Sequence, residues 1–163
     1  MDSFNGLPLH PLVVHFVVVL IPLSALFAVL GVVWPAARRK LGIITPIVAA
    51  VALAFTPIAT SAGESLEKKT PPSAVLDRHT ELGDQMIYWA APLFVFAFLW
   101  WAFTSEWFRE SAWFNDRVPA LTHGRAQVAI ASTLGVVLVI VAVGAAIWVY
   151  RIGDAGARSV WSG

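Results

Sequence analysis

Four long stretches without any Asp, Glu, Lys or Arg constrain the fold of this chain more than any other feature. They cover residues 12–34, 41–62, 86–105 and 126–150. A helix needs about 20 predominantly apolar residues to cross a hydrocarbon core of roughly 30 Å, and each stretch is long enough. Because the stretches are continuously apolar rather than alternating, they are not transmembrane β-strands. The sequence therefore predicts an all-α polytopic membrane protein, in which residues 1–163 form a single antiparallel bundle of four transmembrane helices.

The composition agrees with a bilayer as the solvent. Only 13% of the residues are charged, about half of the roughly 25% that soluble domains carry. The net charge of +1 offers no electrostatic attraction for nucleic acid. The chain has no Cys, which excludes disulfides and, within this chain, thiolate zinc sites and iron–sulfur ligation.

Basic residues in the short loops indicate the orientation. Arg38, Arg39 and Lys40 lie between the first two stretches, whereas residues 1–11 contain no Lys or Arg. Cytoplasmic loops of membrane proteins carry an excess of Lys and Arg. We therefore expect this turn to lie in the cytoplasm and the N-terminus outside, although the later loops bring the totals to six basic residues against five.

Polar residues of the kind that bind cofactors concentrate on the extracytoplasmic side. His10 and His15 open the first span, and the second span runs into Glu64. Ionisable residues at or within spans usually face the bundle interior and mark functional sites. A histidine at a helix end can also simply cap the helix or bond to interfacial water, and this simpler interpretation stays open for both.

A third helix is expected to begin before the membrane. Ser73 is a suitable N-cap, and the helix that follows it carries His79 seven residues before Met86, on the same face. Gly83, one turn after His79, would leave a gap on that face which something flat could approach. An antiparallel bundle would thus bring three helix ends together at one extracytoplasmic region, with the polar side chains His10, His15, Glu64, Glu67 and His79.

Two segments carry a resemblance to a known family. Residues 10–16, HPLVVHF, resemble the HPxxVHFP-type signature of a bacterial domain-of-unknown-function family of small four-span membrane proteins, with Val17 where the family commonly has Pro. Gly63-Glu64 is similar to that family's GE pair, and residues 78–83, RHTELG, are similar to the pattern of a histidine followed by a glycine that comes after it in the family. The resemblance covers roughly residues 7–103 and implies a multi-pass protein of the bacterial inner membrane.

The resemblance implies no established activity. The histidines at 10, 15 and 79, with Glu64 beside them, fall on positions that the family shares, which favours a ligand site without identifying the ligand. Some relatives are fused to a Rieske-type iron–sulfur domain, which implies membrane redox chemistry by association.

The first functional hypothesis is a haem b protein that transfers electrons to a partner. Haem b is held without Cys by one or two axial histidines inside helical bundles. We expect His15 and His79 as the axial pair, with room for the macrocycle at Gly83. Arg78 or Lys68 would then pair with a propionate.

The second hypothesis is a bare metal site. Imidazole and carboxylate ligands suit a single Zn, Cu or Fe ion. The predicted ligand set is His10, His15, His79 and Glu64, supplied by separate helices rather than by one local motif.

The third hypothesis is a non-catalytic accessory or assembly subunit. The small size and the aromatic-rich third span suit a protein that packs against a larger membrane complex, a redox partner or further copies of itself. No nucleophile elbow, phosphate loop or Cys nucleophile occurs in the sequence. We therefore predict no catalytic residues and do not expect the chain to be an enzyme by itself.

Overall fold

A computed structural model of the chain describes residues 3–4, 7–68, 73–111, 116–117 and 124–161. Its first elements are two short antiparallel strands, β1 (Ser3–Phe4) and β2 (Leu7–Pro8). The helices that follow are α1 (Leu9–Val33), α2 (Pro35–Leu41), α3 (Ile44–Glu67), α4 (Ala74–Asp84), α5 (Ile87–Thr104), α6 (Glu106–Arg109) and α7 (Gly124–Trp161).

Four helical segments are long and apolar enough to cross a membrane, which confirms the predicted all-α, four-span class. They are Val13–Val33, Ile44–Glu67, Leu76–Thr104 and Gly124–Arg158. The last three extend beyond at least one end of the stretch that predicted them, because the first charged residue marks the end of the apolar run rather than the end of the helix. Helical hydrogen bonding continues into the polar region, since it needs no partner outside the segment.

The loop between the first two spans is itself helical, which the sequence argument did not predict. Trp34 is extended, with φ −127° and ψ 105°, and Pro35 follows it at the first helical position of α2. Proline is suited to that position because the N–H it lacks has no helical partner there. The three consecutive basic residues of the loop therefore lie in the last turn of α2.

The four spans form a closed ring of neighbours. α1 packs beside α3, α3 beside α5, α5 beside α7, and α7 returns to pack against α1. At one end of the ring lies α2. At the other end, called the α4 end from here on, α4 packs against α7 and α3. This end also carries the start of α1.

Small side chains line the centre of the bundle. Each of the four spans contributes an alanine that is at most 1% exposed. Small residues let helix backbones approach closely, which is the usual basis of helix association in lipid. These alanines are Ala28 on α1, Ala52 on α3, Ala97 on α5 and Ala142 on α7.

The aromatic residues of the third span divide between the surface and the interior. Tyr88 is 74% exposed, whereas Trp100 is only 8% exposed. A Cβ atom at Gly31 would lie 3.4 Å from the Trp100 ring, and one at Gly135 would lie 3.0 Å from its Nε1 atom. The Arg38 guanidinium lies 5.4 Å from the ring centroid. Trp100 therefore joins three helices near the α2 end rather than facing lipid.

Candidate functional site

α4 begins where the sequence predicts it. Ser73 is extended and its Oγ accepts a hydrogen bond from the Leu76 backbone N–H at 3.2 Å. This is the N-cap interaction that satisfies one of the unpaired donors of the first turn. α4 ends at Asp84, a short turn contains Met86, and α5 begins at Ile87. The cap and the turn together position α4 over the bundle.

His79 is held by α7. Its Nδ1 lies 3.1 Å from the backbone carbonyl oxygen of Ile152. A carbonyl oxygen can only accept, so Nδ1 carries the proton and donates it. In the neutral imidazole, Nε2 is then the nitrogen with a lone pair. A backbone carbonyl bonded to one ring nitrogen is the arrangement that orients a histidine to bind a metal through the other.

Gly156 makes that position of His79 sterically accessible. A Cβ atom at residue 156 would lie 2.9 Å from His79 Cε1 and 3.2 Å from Nδ1. Contacts below about 3.0 Å are essentially never seen for a real Cβ atom. The imidazole therefore packs directly on the backbone of α7, one turn beyond the carbonyl to which it donates.

A small cavity of about 60 Å³ lies beside His79. It is almost entirely apolar, and Thr56 and Thr60 contribute hydroxyl groups that donate to backbone carbonyls of their own helix. The Gly83 surface is open, since a Cβ atom there would meet nothing within 4 Å. The predicted gap at Gly83 is therefore present. The lining residues come from α1, α3, α4, the turn after α4, and α7: Val14, Val17, Val18, Thr56, Ala59, Thr60, His79, Gly83, Met86, Val149 and Ile152.

Met86 is the member of this lining that the sequence argument did not consider as a ligand. It is 2% exposed, and it lines the same cavity as His79, so that a soft thioether donor and an imidazole belong to one lining. The seven-residue spacing from His79 had already placed both residues on one face. Nothing in the sequence marked Met86 as a ligand, because a methionine in an apolar run usually indicates packing.

His15 does not reach this cavity. Val13 and Val17 are buried on α1, and His15 lies between them in sequence but is exposed. Successive helical residues are turned by about 100°, so residue 15 faces roughly away from the buried pair. The structure therefore does not bring His15 and His79 to one cavity, contrary to the axial pair expected for haem b.

The predicted metal-ligand set does not assemble either. Glu64 is exposed in the last turns of α3, and the side chain of His10 lies outside the residues that are described. Across the described ranges, no three His, Cys, Asp or Glu side chains are grouped so that they could hold a metal ion. His15, Glu64 and His79, which lie on three different helices, therefore do not form one metal-ligand set.

Arg78 belongs to a different cleft. It is adjacent to His79 in α4 and therefore turned by about 100° from it. It lines a depression between α4 and the end of α7 rather than the cavity beside His79. The interpretation of Arg78 as a partner for a group held by His79 receives no support from this placement.

One family model matches the chain. It describes a predicted membrane protein, DUF2231, a domain of unknown function, and the match covers residues 6–163. No curated protein and no solved structure matches. The match extends beyond the residues that carried the resemblance and includes the fourth span.

Proposed function

The chain belongs to the DUF2231 family of predicted membrane proteins, and from this premise we propose that it binds one copper ion through His79 and Met86 and acts in membrane electron transfer. One observation carries the proposal: an imidazole with its Nδ1–H fixed on the Ile152 carbonyl lines the same cavity as a buried thioether. With the N-terminus outside, as the loop charges favour, the site lies at the extracytoplasmic face of a bacterial inner membrane.

The donor set favours copper in its reduced state. Thioether ligands select Cu(I), and imidazole also suits copper, whereas Mg, Ca and Mn prefer carboxylate and carbonyl oxygens. Structural zinc sites use four ligands from Cys, His and acidic residues, and the described residues hold no group of three such side chains. The cavity walls are almost entirely apolar, and an apolar environment favours the lower charge of Cu(I).

Haem b fits this cavity less well. Cavities that hold drug-sized ligands measure about 300–1,000 Å³, against about 60 Å³ here. A macrocycle would therefore require the helices around this cavity to move apart. Haem b therefore stays an alternative, and an absorption spectrum of the purified protein distinguishes it from copper. The accessory-subunit hypothesis also stays a prediction, and it is compatible with a bound metal.

The test is copper binding by the purified full-length protein in detergent. We expect one Cu(I) per chain in competition with a colorimetric Cu(I) chelator under reducing conditions. His79→Ala and Met86→Leu should each weaken binding by more than about tenfold, since even partners of a metal ligand contribute about 10–100-fold. Leucine conserves the volume of Met86 and removes only the sulfur.

His15→Ala is the matched control, since His15 is exposed and absent from the cavity lining. It should bind copper as the wild type does. Copper affinity that is unchanged in both His79→Ala and Met86→Leu would contradict the proposal. A Soret band would identify haem b rather than copper as the ligand if it is present in the purified protein, or appears after haem supplementation, and is lost in His79→Ala.

A further inference from the structure

A second cleft at the α4 end is rich in arginine. It has a volume of about 540 Å³ and lies between α4 and the last turns of α7. Three guanidinium groups, those of Arg78, Arg151 and Arg158, line it together with one carboxylate, that of Asp154. Asp154 is the one acidic residue among the described residues of the lining. The cleft therefore carries an excess of positive charge.

The cleft walls are held in place by contacts beneath them. The Trp148 indole N–H donates to the Leu82 carbonyl at 3.1 Å, which ties α7 to α4. The Arg151 guanidinium lies 4.6 Å from the centroid of the Trp148 ring, a distance typical of a cation–π contact. Asp154 Oδ2 accepts from Arg158 Nε at 2.9 Å. Two of the arginines are thus positioned before any ligand arrives.

The position of the cleft indicates where its ligand comes from. The apolar stretch of the fourth span ends at Tyr150, which lines the cleft and is 74% exposed. Tyrosine and tryptophan are enriched at the level of the lipid headgroups. The arginines therefore stand at the boundary between hydrocarbon and water, with an apolar floor that includes Leu82 and Ala155.

The same residues account for an irregularity in the loop charges. Five basic residues lie on the side assigned as extracytoplasmic, almost as many as the six on the other side. Three of those five line this one cleft. A binding role explains why basic residues are concentrated on the face where the orientation rule disfavours them.

We infer that this cleft binds the phosphate group of an anionic phospholipid. Guanidinium groups form paired hydrogen bonds with phosphate oxygens. The acyl chains would lie along the exposed apolar surface below Tyr150. This cleft is separate from the cavity beside His79, so the lipid inference does not depend on the copper proposal.

The experiment is lipid retention by the full-length protein in native mass spectrometry from detergent. Wild-type protein should bind phosphatidylglycerol more tightly than phosphatidylcholine of the same chains. Arg78→Gln with Arg151→Gln should weaken phosphatidylglycerol binding by about 25-fold, since each basic residue near a surface contributes about fivefold. Arg125→Gln, an exposed arginine at the opposite end of α7, should leave it unchanged.

Asp154→Asn controls for misfolding of the variants. It removes the opposing charge and should raise phosphatidylglycerol affinity by roughly fivefold. A misfolded variant would not gain affinity. Equal retention of the two lipids, or equal loss in Arg125→Gln and the double variant, would overturn the inference. Complete displacement of the lipid by millimolar inorganic phosphate would also overturn it, in favour of a soluble anion.

Discussion

Replacement of Gly144 by alanine is expected to destabilise the bundle by about 1–3 kcal/mol relative to a matched glycine-to-alanine change, the range typical of overpacking a well-packed core. A Cβ atom at residue 144 would overlap Trp89 Cζ3 and lie 2.6 Å from Cη2. The Trp89 ring has little freedom to move. It stacks on Trp148 at 6.0 Å between centroids, and Trp148 is itself bonded to Leu82.

The midpoint of unfolding by heat or SDS in detergent micelles measures this effect. Gly153→Ala is the matched control, since it lies on the same helix and a Cβ atom there meets nothing within 4 Å. Alanine is favoured over glycine in a helix by about 0.8–1.0 kcal/mol at either position, so the difference between the variants isolates the clash. In a Trp89→Leu background, Gly144→Ala should no longer cost more than Gly153→Ala, because the ring that the added Cβ would overlap is gone. Identical midpoints for the two alanine variants would refute the predicted clash.

Replacement of Gly156 by alanine is expected to displace His79 from α7. The added Cβ would lie 2.9 Å from His79 Cε1, so the ring must shift, and we expect its hydrogen bond to the Ile152 carbonyl to weaken or break. Losing the partner that orients a metal-binding histidine typically weakens metal binding by about 10–100-fold. We expect that loss in the Cu(I) competition assay. Gly156 thus acts as a positioning residue rather than as a ligand.

Two comparisons separate this positioning role from a general loss of stability. Gly153→Ala should bind copper as the wild type does, because it changes the same helix without touching His79. In the His79→Ala background, Gly156→Ala should have no further effect on copper affinity, since neighbouring residues that act through one contact are not additive. Wild-type copper affinity in Gly156→Ala would argue against the assigned role of the His79–Ile152 bond.

Much of the fold could be predicted because lipid imposes a simple rule on sequence. Charges are excluded from the spans, so the apolar stretches locate the four helices, although the third span begins ten residues before its stretch and the last helix ends eleven residues beyond its stretch. The N-cap at Ser73 was predictable because it is a local interaction between residues that are close in sequence. The helix α2 was missed because its three basic residues were interpreted only as an orientation signal.

The sequence placed some of the cavity-lining residues together and left the others apart. His79 and Gly83 lie beside one cavity, as their spacing on one helix indicated. His15 and Glu64 are elsewhere because sequence placed them at the correct end of the bundle without settling the direction in which each side chain points. Rotation of α1 about its axis is set by the buried valines on either side of His15, and that depends on which helices surround it.

The sequence by itself determined that the chain is a four-span helical membrane protein with its unusual polar residues gathered towards one end, because lipid permits neither exposed charge nor unpaired backbone in a span. Only the tertiary structure decided which of those residues meet. It placed His79 against Ile152 and Gly156, which are 73 and 77 residues further along the chain, and beside Met86. Side-chain partners across helices depend on helix rotation and order in the ring, and neither is encoded in local spacing.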